Sequence, residues 1–288
     1  MTWDKKKEWS DPKAKTFEFE VGKPSNLLRD WVNSYSGYYE EVLHPVQRLE
    51  VPKGRVILII GFEESLQISF INSNYSNYQA FVVGLNEKPL ITKYNRVQCC
   101  IEIELFPWAL NMLFDKAAEE FTQQVISLED LWGNDAILLV QQLSQMSSWQ
   151  ERFSLIDKIF LEKLANSSII IRPEILWAWN LLEYYKGCIP IQQLAQTIGW
   201  SNRYLASCFR NQIGITPKVA ARRIRFNHAL LLLKASNPYT LSDIALTCGY
   251  SDQSHLTREF RLFSGCSPLV YQKAHFTNLL GIPSNIVD

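Results

Sequence analysis

The sequence predicts an α+β, multidomain chain. A β-rich N-terminal domain ends in helices, and an all-α C-terminal domain carries two helix-turn-helix units joined by a long helix. Three observations predict it. The hydrophobic pattern changes from short alternating runs to helical spacing near Pro107. Two stretches about fifty residues apart, "PIQQLAQTIGWSNRYLASCF" from Pro190 and "TLSDIALTCGYSDQSHLTREF" from Thr240, repeat one pattern. The charge is divided as well: residues 1–172 hold 18 Lys and Arg against 23 Asp and Glu, whereas residues 173–288 hold 11 against 6. An acidic half is thus joined to a basic one, and only the basic half suits a polyanion.

Up to Phe106 the runs "TFEFEV", "GRVILIIGF", "LQISFI", "QAFVVGL", "PLITKY" and "VQCCIEIELF" are β-branched or aromatic. Asn, Ser, Gly, Pro and Lys punctuate them, which is the spacing of a sandwich or barrel. Helical periods follow in "PWALNMLF", "EDLWGNDAILLVQQLSQ" and "SWQERFSLIDKIFLEKL". The stretch "ANSSIIIRPE", residues 165–174, reads as a junction, giving domains at 1–166 and 173–278. Within the second, the helix-turn-helix units fall at about 190–212 and 240–264.

The repeat is arithmetical. Ile191, Leu194, Ala195 and Ile198 lie at i, i+3, i+4 and i+7, and Leu241, Ile244, Ala245 and Cys248 repeat that spacing 50 residues later. Gly199 and Gly249 follow, each suited to a left-handed helix end. Ser201 and Ser251 come next and are read as N-caps of the second helices. Those helices bury Leu205 and Phe209 in one copy, Leu256 and Phe260 in the other. Pro190 and Thr240 open the two units, one pre-set for a first turn and one able to cap it. Between the units "PKVAARRIRFNHALLLLK" has no internal Gly or Pro and reads as one helix roughly 27 Å long.

With Leu205 and Phe209 inward, the opposite stripe carries Arg203, Ala206, Ser207 and Arg210. Adding 51 gives Ser254, Thr257, Arg258 and Arg261 on the second helix, and Asn202, Gln253 and His255 flank the helix starts. Such side chains suit base edges in a major groove: Arg pairs with guanine O6 and N7, Asn or Gln with adenine, Ser or Thr with either. Double-stranded DNA is therefore the expected partner. One helix reads only a few base pairs, so a second reader on the same chain extends the site and makes its own contact intramolecular.

"LAQTIGWSNRYLASCFRNQIGITP", "RFNHALLLL" and "LSDIALTCGYSDQSHLTREFRLFSGCSPLVYQK" resemble the DNA-binding domain of the AraC/XylS transcription regulators, over roughly residues 175–273. The resemblance implies a seven-helix domain bound to an asymmetric promoter site. It places Arg203, Ala206 and Ser207 at base contacts of the first unit, and Gln253, Ser254, His255 and Arg258 at those of the second. The family pattern often has longer side chains at 206 and 207, so the first reader is expected to lean on Arg203 and Arg210. Arg225 matches a family arginine and is read as a clasp between the units. Less specifically, "VPKGRVILIIGF" and "FVVGL" resemble the cupin-like, jelly-roll-like sensor or dimerisation domain of many such regulators. A small-molecule effector, a second copy of the chain and RNA polymerase stand as further candidate partners. The expected role is a transcription regulator, an activator in the first instance.

His44 is the sole histidine among residues 1–172, too few for a metal-binding cupin, so neither metal nor cofactor is expected. Trp31, Tyr35, Tyr38, Tyr39, Phe62, Phe70, Phe106 and Trp108 are core residues or the lining of an apolar effector pocket. The helix from Trp149 to Leu164, with Phe153, Ile156 and Phe160, packs on its own barrel or on a second subunit. The six cysteines, at 99, 100, 188, 208, 248 and 266, form no CxxC pair and read as reduced, buried residues of a cytoplasmic protein. No run suits a membrane span and the N-terminus lacks a secretory signal. Two alternatives remain open at this point: a DNA-repair alkyl-transfer enzyme carrying a related domain, and an interaction protein that recruits partners.

Overall fold

The computed structural model describes residues 16–235, 239–276 and 282–283. Ten strands of the N-terminal half form two antiparallel sheets. They are β1 (Thr16–Gly22), β2 (Val32–Glu41), β3 (Val46–Glu50), β4 (Val56–Gly61), β5 (Leu66–Phe70), β6 (Ser76–Tyr78), β7 (Ala80–Val83), β8 (Leu90–Tyr94), β9 (Val97–Leu105) and β10 (Val125–Ser127). One sheet runs β1-β2-β9-β4-β7-β10. The other runs β3-β8-β5-β6, with β11 (Ile282–Pro283) returning from the far end of the chain to pair with Leu49 and Arg48. All six runs expected from the sequence are strands. β4 shows the reason: its residues from Val56 to Ile60 alternate between buried and half-buried, so one face fills the space between the sheets.

β2, β3, β6 and β10 were not expected. β2 reads "VNSYSGYYEE" and β3 "VQRLE", and both carry charge into the interior. Glu40 and Arg48 are buried and pair at 2.8 Å, and the Tyr38 and Tyr94 hydroxyls donate to the same carboxylate. Neither charge could lie there without the other. Burial pushes both phenols well above their ordinary range.

Helices follow: α1 (Ala109–Phe114), α2 (Leu128–Trp132), α3 (Asn134–Gln145) and α4 (Trp149–Asn166). α2 and α3 are separate because Gly133 stands between them at φ +57°. α4 lies on its own barrel. Its Phe153 and Trp149 sit where a Cβ on Gly22 or Gly37 would be, Tyr35 stacks on Phe153 at 5.5 Å, and the Tyr35 hydroxyl donates to Asp157 at 2.6 Å. Phe153, Ile156 and Phe160 are all buried within the chain, which takes them out of any subunit contact. A capping box between Ser148 and Glu151 starts the helix.

The described residues of the C-terminal half include seven helices: α5 (Pro173–Tyr184), α6 (Ile191–Ile198), α7 (Asn202–Ile213), α8 (Pro217–Leu233), α9 (Leu241–Thr247), α10 (Gln253–Ser264) and α11 (Pro268–Phe276). The connecting helix is continuous, as its composition requires. Its hydrophobic core does not stop at the junction: Trp108 meets Trp179 edge-on at 6.0 Å, and Trp179 stacks on Phe209 at 6.2 Å. Leu49 of β3 joins the second cluster, around Phe226, Leu256 and Phe260. Each aromatic or leucine so buried contributes about 1.5–3 kcal/mol.

Candidate nucleic-acid interface

Both units have the expected helix-turn-helix form. α6 ends at Gly199, φ +79°, and α9 is followed by Gly249, φ +71°. Ser201 caps α7, its hydroxyl accepting from the Tyr204 amide at 3.2 Å. In the second unit the cap is not Ser251 but Asp252, whose carboxylate accepts from the His255 amide at 2.7 Å. The repeat offset therefore becomes 51 already in the turn, and the cap falls on the residue 51 beyond Ser201. The hydrogen bond from the His255 backbone lowers the Asp252 pKa, as it must for a carboxylate bonded in its charged form.

Leu205, Phe209, Leu256 and Phe260 are buried and the opposite faces are open. On α7, Asn202, Arg203, Ser207 and Arg210 are exposed and Ala206 is half-buried; on α10, Gln253, Ser254, Arg258 and Arg261 are exposed, with His255 and Thr257 half-buried. Two of these side chains are tied to neighbours and a third to its own helix. The Ser242 hydroxyl, on the first turn of α9, donates to Gln253 Oε1 at 3.2 Å. His255 Nδ1 accepts from the Ser251 amide at 3.4 Å, and its ring meets Tyr250 edge-on at 5.2 Å. Thr257 donates its hydroxyl to the Gln253 carbonyl at 2.8 Å. Ser242 carried no signal in the sequence, because its partner is set by the angle between two helices.

Arg225 lies where a clasp would: it donates to the Gly249 carbonyl at 3.4 Å and covers the Tyr250 ring at 5.4 Å. Its neighbour Arg222 joins three elements. It reaches Glu259 of α10 at 2.6 Å and Glu87, in the loop between β7 and β8, at 3.2 Å. Arg223 is fully buried and donates to the Asn86 carbonyl; loss of hydration brings its pKa down to about 10.

Arg223 also borders a cavity between the two sheets. Ile57, Ile59, Leu66 and Phe81 are among its apolar walls, and Arg48, Asn86, Glu50, Lys53 and Glu102 are among the polar and charged residues that also line it. Arg48 Nε and both ends of the Asn86 amide are buried without a hydrogen-bond partner among the described residues. Of the eight aromatics considered from the sequence only Tyr38 lines this space. Tyr35 and Trp108 are buried in the core and Trp31, Phe62 and Phe106 pack against it. His44 is exposed.

Residues 194–274 match the model of a helix-turn-helix domain. The chain is 28% identical over 117 residues to the uncharacterised HTH-type transcriptional regulator YisR of Bacillus subtilis, 40% of each chain. It is 33% identical over 107 residues, 37% of each, to the HTH-type transcriptional activator RhaS of Escherichia coli O139:H28. The matched part thus spans about 40% of the length of these curated relatives. Among solved structures, ToxT from Vibrio cholerae aligns over 93% of this chain and 100% of its own, with TM-score 0.48 and 11% identity. The C-terminal part of this chain is an AraC-type helix-turn-helix domain.

Proposed function

We propose that this protein is a cytoplasmic, sequence-specific DNA-binding transcription regulator. Its two helix-turn-helix units, residues 190–212 and 240–264 of a domain at 173–278, read promoter DNA, and the β-rich domain at 1–166 senses a small effector. The observation that carries this reading is the pair of open polar stripes, each backed by a buried Leu and Phe and joined by one uninterrupted helix. Arg203, Arg210, Arg258 and Arg261 supply positive charge on those stripes, and Asn202, Ala206, Ser207, Gln253, Ser254, His255 and Thr257 supply short or forked groups for base edges. The relative named as an activator supports activation as the direction of regulation. The cavity bordered by Arg48, Asn86 and Arg223 suits a small effector with both apolar and polar groups, and the unpartnered polar atoms of Arg48 and Asn86 support that reading.

The alkyl-transfer reading needs an activated thiolate. Burial pushes the Cys99 and Cys248 thiols up to about 11, which favours the inert protonated form at those two positions, whereas Cys188 is exposed. The test of the regulator reading is duplex binding measured across a salt series. Six to ten phosphate contacts predict a fall of about a thousandfold or more between 50 and 200 mM salt. A flat line would end the reading in favour of a protein that recruits partners without touching DNA.

A further inference from the structure

The cysteines form no motif in the sequence, yet the fold brings two of them together at the seam between the helix-turn-helix units. Cys188 lies in the loop between α5 and α6, just ahead of the first unit, and Cys248 follows α9 at the turn of the second. The Cys188 thiol donates to the Cys248 carbonyl at 3.5 Å, across 60 residues of chain. A Cβ on Gly249 would stand 2.9 Å from the Cys188 sulfur, so that sulfur has its place because residue 249 is glycine. Cys188 is exposed, whereas Cys248 is buried in the cluster around Phe226, Leu256 and Phe260. From α8, His228 Nδ1 lies 3.5 Å from the Cys248 sulfur. Burial first, and then the nearby Cys188, push the Cys248 thiol up to about 11 against the pull of Lys186 and Arg225. Burial and Lys186 lower the His228 pKa, which leaves a neutral imidazole able to take a proton at neutral pH.

We propose that Cys188 and Cys248 are a peroxide-responsive thiol pair whose oxidation to a disulfide joins the two helix-turn-helix units and weakens duplex binding. Cys188 reacts first, because it is the exposed thiol of the two. Its thiolate attacks one oxygen of hydrogen peroxide and the O–O bond breaks. The departing hydroxide takes up the thiol proton as water, and Cys188 becomes a sulfenic acid. Cys248 then attacks the Cys188 sulfur while its own proton passes to His228. The S–O bond breaks, and the leaving hydroxide takes that proton to become a second water. Two thiols thus lose two electrons and two protons, and one peroxide becomes two waters. Rotation of the two side chains has to bring the sulfurs to a bonding distance of about 2.05 Å. Cys248 leaves its apolar seat to do so, and it adjoins the glycine turn that aims α10. The bond therefore shifts the second reader against the first, which a site spanning two major-groove entries does not tolerate.

The effect on affinity rests on the DNA-reading function proposed above; the cross-link does not, and the test reads the two separately. The full chain, Cys188→Ser and Cys248→Ala are each treated with hydrogen peroxide and then with dithiothreitol. Intact mass and a non-reducing peptide map follow the bond. Affinity is measured for a duplex that the reduced wild-type chain selects from a randomised pool. Oxidised wild type should lose the mass of two hydrogens and yield a peptide pair joined through Cys188 and Cys248. It should bind the duplex about tenfold more weakly, an ordinary size for coupling between two states. Dithiothreitol should reverse both changes. Cys188→Ser should form no such bond and keep its affinity under peroxide. It alters an exposed side chain, so it serves even where Cys248→Ala, a change in a buried cluster, fails to fold. In a folded Cys248→Ala chain the Cys188 sulfenic acid should persist and be trapped by dimedone. A wild-type chain that never joins Cys188 to Cys248, or that forms the bond and keeps full affinity, overturns the proposal. A reduced chain that binds no duplex overturns the DNA-reading function and the effect on affinity with it, while the peptide map still decides whether the thiols pair.

Discussion

Arg258 shows how much a single side chain on the α10 stripe is expected to carry. It is exposed, one turn beyond Ser254, and its guanidinium can take both acceptors of a guanine at once. Arg258→Ala should cost about 1–3 kcal/mol of binding and relax preference at one position of the site. An equal loss on every sequence, measured on a panel of single-base variants, would place Arg258 on a phosphate instead. The stripe itself was legible in the sequence, since helical spacing fixes which residues share a face. The ties that constrain it were not. Ser242 and Gln253 are eleven residues apart on different helices, and the cap at Asp252 differs by one residue from the serine the repeat first suggests.

At the scale of elements, what could be read depended on whether a segment obeys its own period. β4 and β9 did, and so did α6, α7, α9 and α10. β2 and β3 did not, because Glu40 and Arg48 face inward and are reconciled only by each other. The turns between helices depend on glycine in two different ways. Gly199 has φ +79° and open space beside it, so Gly199→Ala meets backbone strain alone, about 1–2 kcal/mol. Gly214, which ends α7, has φ +91°, and a Cβ there would also press on the Ala118 carbonyl of the N-terminal half and on Thr122. Gly214→Ala should therefore cost about 2–4 kcal/mol, strain and overpacking together. Denaturant unfolding of the two variants checks the order. Equal losses would mean that the seam between α7 and the N-terminal half contributes nothing to stability.

Across the whole molecule, that seam is where the sequence told least. Composition marked a junction near residue 170, yet the aromatic series Trp108, Trp179, Phe209 passes straight through it. Arg222 ties the β7–β8 loop to α10, and the adjacent Arg223 borders the cavity between the sheets. These contacts are long-range in sequence, and no local pattern announces them. They also place α8 under the control of both halves, which suits a helix that sets the separation of two readers. Successive major-groove entries on one face of a duplex lie about 34 Å, roughly 10.5 base pairs, apart. The most direct measurement is binding of the full chain to its selected site after five base pairs are inserted between the two half-sites, and again after ten or eleven. Half a turn of DNA should lower affinity at least tenfold, because a rigid linker cannot follow one half-site to the far side of the helix. Affinity indifferent to the five-base-pair insertion would contradict the account, since a single reader would then be doing the binding.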